Sequence, residues 1–195
     1  MKRWNSILLL SVTAMLDAIA LSGLRIANTV EVTYSQQLKV KETIDLNMPF
    51  ASDVTTTHEI AATNGSLNAQ STPPATKVSS GTKTLSAGAA TIDLTAAPGA
   101  TINGSATTVD CSGLKVQHIK FVASEENTGR VLVAPHGTNG YNLFGAASCQ
   151  VSLGPGESVD VNWKDTLADV DSTHKVINLT SAQATAAIDF IIVAG

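Results

Sequence analysis

Charge is scarce in this sequence. Only 14% of its 195 residues are Asp, Glu, Lys or Arg, against about a quarter in an ordinary soluble domain. The shortage is sharpest between Ile60 and Val109, where the charged residues are Lys77, Lys83 and Asp93 alone. Its Lys and Arg are scattered, with no run longer than Lys2-Arg3, and the net charge is −4. Nucleic-acid binding needs a basic stripe or patch, so nucleic acid is not an expected partner. Cysteine is limited to Cys111 and Cys149, neither with a CxxC companion. That excludes a zinc site of clustered thiolates and leaves either one disulfide or, as the favoured reading, two buried thiols. There is no phosphate loop, no GxGxxG and no GxSxG elbow, so neither a cofactor nor a metal is expected.

Small and β-branched residues fill the space. Ala, Thr, Ser and Gly number 26, 23, 18 and 14, and 44% of the chain is apolar. Such a chain makes closely packed strands and has few long charged side chains to hold neighbours apart. A surface this poor in charge fits an exterior partly covered by other subunits.

Residues 1–27 form an apolar N-terminal segment. Lys2-Arg3, the run through Ile7, Leu8, Leu9 and Leu10, and the small residues around Ala18 resemble an export signal, but Asp17 interrupts the run. The spacing predicts a helix from Ser6, a plausible N-cap, to Gly23. At 1.5 Å per residue such a helix is about 27 Å long and barely spans a bilayer. A short helix buried between subunits is therefore the favoured expectation over a membrane, with a membrane anchor as the alternative.

From residue 28 to 110 the pattern predicts an extended arm with short strands. Val30, Val32 and Tyr34 alternate with polar residues, and Leu38 and Val40 continue the series. Val54–Ile60, Lys83–Leu85 and Ala90–Leu94 are further strand candidates. Residues 111–195 predict an antiparallel β-sandwich, jelly-roll-like, with strands at Leu114–Ala123, Gly129–Ala134, Ala147–Leu153, Ser158–Trp163, Lys175–Leu179 and Ala187–Val193. Gly154-Pro155-Gly156-Glu157 predicts a tight hairpin corner. The fold class is mainly β.

Candidate chemistry is sparse. His118 falls mid-strand, where a structural role is expected; His136 lies in a Gly-rich loop and is the first histidine to test. Asp165, Asp169 and Asp171 share a loop, but their spacing is not that of an EF-hand, and solvated carboxylates are the expectation. The Gly-flanked Tyr141, Leu143 and Phe144 are either an intersubunit anchor or a loop that closes the core. With Val30, Val32, Tyr34, Leu8 and Leu9 they are the interface candidates. No catalytic residue is expected.

The alternating strand Leu114–Phe121, the Gly-Tyr-Asn-Leu-Phe-Gly segment at 140–145, the Leu-Gly-Pro-Gly-Glu corner at 153–157 and the closing strand to Gly195 resemble small β-sandwich proteins of tailed-phage virions: decoration, fibre-knob and tail-associated subunits. The resemblance implies a virion structural subunit, localised in the virion. Its partners would be copies of itself, with a trimer the first state to test, and other virion proteins. The alternatives are an exported subunit of a filament or cell surface and a carbohydrate- or receptor-binding module.

Overall fold

The computed structural model describes residues 31–44, 54–102, 105–163 and 165–195. The apolar segment 1–27, with its expected helix, and Val30, Leu8 and Leu9 lie outside the described residues. Within them the chain is all strand, turn and loop, with antiparallel sheets throughout.

Two long strands come first, β1 (Val32–Ile44) and β2 (Val54–Leu67). They pair with each other as a two-stranded ribbon. The strands that follow are β3 (Lys77–Thr84), β4 (Ala89–Asp93), β5 (Ala97–Ile102), β6 (Ser105–Val109), β7 (Val116–Ala123), β8 (Val131–Pro135), β9 (Val151–Leu153), β10 (Ser158–Asn162), β11 (Val176–Ser181) and β12 (Ala187–Ala194). One four-stranded sheet has the order β10-β7-β12-β3 and a second has the order β4-β11-β8-β9, while β5 and β6 form a separate hairpin.

The two four-stranded sheets share one core. Ile119 and Phe121 of β7 and Ile188, Phe190 and Ile192 of β12 join Ile92 of β4, Val131 and Val133 of β8, and Ile177 and Leu179 of β11 in a single buried cluster. This is a sandwich-like arrangement. Alternation produces it: in β12 Ile188, Phe190 and Ile192 are buried while Asp189 and Ile191 face solvent. Each buried aliphatic or aromatic side chain contributes about 1.5–3 kcal/mol by leaving water.

The sheets do not begin at residue 111. β3 and β4 come from the stretch expected to be an arm, yet β3 pairs along the whole of β12, from Ala187↔Thr84 to Ala194↔Lys77, and β4 pairs with β11. Both lie at sheet edges, where one flank needs no partner and a polar sequence such as that of β3 is tolerated. The Gly154–Glu157 corner also differs from expectation. β9 and β10 belong to different sheets, so the corner carries the chain from one layer to the other rather than closing a hairpin. Gly156 takes φ 72° there, a conformation glycine adopts without strain. The Glu157 carboxylate accepts hydrogen bonds from the Gly154 N–H at 2.6 Å and from Arg130 Nη2 at 2.8 Å.

Candidate functional site: the ribbon and the loop-rich end of the sandwich

The ribbon register gathers most of its apolar residues on one face, which also carries the pairs Gln36–Thr63 and Glu42–Thr56 and His58 opposite Val40. Opposed positions of an antiparallel ladder share a face. Val32 opposes Leu67, Leu38 opposes Ile60 and Ile44 opposes Val54, and Tyr34 and Val40 stand at alternate positions of the same face. The other face pairs Thr33 with Ser66, Ser35 with Asn64, Lys39 with Glu59, Lys41 with Thr57 and Thr43 with Thr55. A register shift between Gln36 and Leu38 sets Ala61-Ala62 against Gln37. That bulge keeps the apolar positions on one side along the ribbon. Val32 and Tyr34, singled out from the sequence, thus stand on the apolar face. The full extent of that face required the register of β2.

The aromatic loop behaves differently. Tyr141 is 1% exposed and Leu143 is 1% exposed, both within the main core cluster. Neither is available as an intersubunit anchor: the loop closes the end of the core. The Tyr141 hydroxyl accepts a hydrogen bond from the Val116 N–H at 3.1 Å and donates one to the Ala168 carbonyl at 2.7 Å. Burial pushes its pKa up to about 12. Phe144 is half-buried and packs against Trp163, ring centroids 6.4 Å apart and planes tilted by 58°.

The remaining candidates hold the loops of this end in place. Asp171 accepts from the Thr173 N–H at 2.6 Å and the His174 N–H at 2.8 Å; the backbone and hydroxyl donors of Thr173 hold its carboxyl well below the usual range. Asp165 pairs with Lys115 at 2.7 Å. Among the described residues, no three His, Cys, Asp or Glu side chains gather as metal ligands. The His136 N–H donates to the Val176 carbonyl at 3.2 Å, and its ring Nδ1 lies 3.4 Å from the Thr138 N–H of its own loop. Both cysteines are free thiols; burial pushes that of Cys111 up to about 11.

His118 sits on the outer side of β7, its side chain 6% exposed and its Nε2 3.6 Å from Asp160. Burial lowers its pKa, which the Asp160 charge only partly offsets.

At the opposite end a shallow depression of about 260 Å³ lies between the β7–β8 and β11–β12 loops. Thr84, Ser124, Glu126, Gln183 and Thr185 line it. Side-chain amides brace these loops. Asn127 makes two 2.9 Å bonds to the Ala187 backbone, and Gln183 Oε1 accepts from the Thr128 and Gly129 N–H groups at 2.8 and 3.0 Å. No sequence motif marked this feature, because it is assembled from loops far apart in the chain.

Comparison of the chain with protein-family models, with curated proteins and with solved structures finds no match in any of the three.

Proposed function

We propose that this chain is a non-enzymatic structural subunit of a virion, a capsid-decoration or tail-associated protein, acting through contacts between copies of itself and with other virion proteins. The observation that carries the assembly part is the ribbon: a long ladder whose apolar residues gather on one face, interspersed with Gln36, Glu42, Thr56, His58 and Thr63, with neither strand paired to any other described strand. A two-stranded hairpin is marginal in water by itself. A second copy is the occupant that fits. It offers the same apolar face, and such a face is self-complementary about a symmetry axis.

The virion part rests on architecture. The sheet orders β10-β7-β12-β3 and β4-β11-β8-β9 support reading the sandwich as a jelly roll with the β5–β6 hairpin inserted, and viral capsid domains use this fold. That warrant is a fold-level analogy.

Size-exclusion chromatography with light scattering on the full chain tests the assembly. A homo-oligomer is expected, and Leu38→Asp with Val40→Asp should convert it to monomer while the far-ultraviolet spectrum stays the same. A wild-type monomer across the micromolar range would remove the reading. Genomic neighbours test the virion: capsid, portal or tail genes support it, and secretion genes favour an exported subunit.

Lectins also use jelly rolls, and the depression between the loops braced by Asn127 and Gln183 favours carbohydrate binding as a second reading. A glycan array without signal would dismiss it.

A further inference from the structure

We infer that residues 67–76 are a clasp that locks the ribbon to the outer face of the β10-β7-β12-β3 sheet, with Gln117 as its positioning residue, so that the ribbon is carried as a rigid extension and not on a flexible tether. The inference deepens the assembly reading by fixing the angle at which one copy presents its ribbon to the next.

Three sets of contacts build the clasp. Apolar packing comes first: Leu67, the last residue of β2, is buried with Ala75 against Val193 of β12, and Val78 packs alongside. The turn itself is tight. The Asn68 carbonyl accepts from the Ser71 and Ala75 N–H groups at 3.1 and 2.9 Å. Its side chain accepts from Gln70 at 2.8 Å. The seam to the sheet is the third. The Thr76 N–H donates to the Ala194 carbonyl at 3.0 Å, and Gln117 Nε2 donates to the Pro73 carbonyl at 2.8 Å. Gly195 fits so closely that a Cβ there would overlap the Pro74 carbonyl oxygen.

Gln117 is explained by nothing else in the sheet. β12 pairs Val193 with His118 and Ala194 with Val116, so Gln117 is the additional residue of a bulge, and bulges redirect side chains. It is 0% exposed, and its Oε1 accepts no hydrogen bond among the described residues. A buried amide left half unsatisfied is costly compared with an apolar side chain. The position makes physical sense through the bond it does form, which reaches out of the sheet to Pro73.

Pulsed electron-paramagnetic-resonance distances test this on the full chain. Spin labels go on Thr57→Cys in the ribbon and Ala182→Cys in the sandwich, with Cys149→Ser and labelled copies diluted in unlabelled protein. A single narrow distance distribution is expected. Gln117→Leu and, separately, Gly195→Ala should widen it by about twofold or more, as local release does, while the melting temperature shifts by less than about 4 °C. A broad distribution in the parent, or an unchanged one in both variants, overturns the clasp. Light scattering on the same samples separates the two ideas. A monomer with a narrow distribution defeats the assembly reading alone, and an oligomer with a broad one defeats the clasp alone.

Discussion

The ribbon and the sandwich use the same sequence device to opposite ends. Both alternate apolar and polar residues at period two. In the sandwich, the apolar face of one sheet meets that of the other within a single chain: Phe121 and Ile192 on one side, Ile177 and Leu179 on the other. In the ribbon, Leu38, Ile60, Ile44 and Val54 share a face that meets the sandwich at Leu67, packed on Val193, and neither ribbon strand is hydrogen-bonded to another described strand. Alternation alone therefore says that a strand needs a cover and not where the cover comes from. The sandwich should behave as the unit of folding and the ribbon as the unit of association.

Substitutions can break that division, and the largest effect belongs to the sandwich core. Phe121→Ala removes a fully buried ring that packs 6.4 Å from Phe190 and should cost about 3–5 kcal/mol. Calorimetry would show a much lower melting point, with the number of subunits unchanged below it. An altered subunit number would blur the distinction. Tyr141→Phe comes next. It strands the Val116 N–H and the Ala168 carbonyl, at about 1–3 kcal/mol in a urea titration, with assembly intact. A neutral result would contradict the burial of its hydroxyl.

Acid should act on the sandwich through His118. Its folded pKa is lowered by burial, so between that value and about 6.5 the unfolded chain binds the extra proton. Stability is then complete above about pH 6.5 and falls as the pH drops through the folded value, no more steeply than about 1.4 kcal/mol per pH unit for one proton. His118→Gln should flatten melting temperature against pH over that window. A profile as steep as the parent's would assign the acid sensitivity elsewhere. The smallest effect is expected on the ribbon's polar face. Lys39→Ala should change stability by less than about 0.5 kcal/mol and leave the oligomer as it was. Dissociation on that substitution would place the contact on the wrong face.

Much of this division was legible from residue order. β12 announces itself through Ile188, Phe190 and Ile192, and the corner at Gly154–Glu157 through its turn residues. β3 did not, because Lys77-Val-Ser-Ser-Gly-Thr-Lys-Thr has no apolar alternation. It is a strand because β12 offers it a ladder, and that partner lies at the far end of the chain. For the same reason, the place of Ala89–Asp93 in a sheet could not be read from its own residues. β9 is only three residues long, too short to show a period. Tyr141 was ambiguous for a different reason: aromatics flanked by glycine serve equally to close a core and to seed an interface, and only its two hydrogen bonds decide. The clasp left no motif at all, since Gln117 and Pro73 meet through a bulge.

The pairing of β3 with β12 also governs how the protein is made. Thr82 and Asp189, hydrogen-bonded across that pair, are 107 positions apart. As the chain leaves the ribosome, β3 waits, its edge open, for a strand translated about a hundred residues later. Long-range pairing of this kind folds slowly and exposes unfinished edges. A polar, lysine-bearing β3 is the form of edge least prone to pair with the wrong neighbour during that wait.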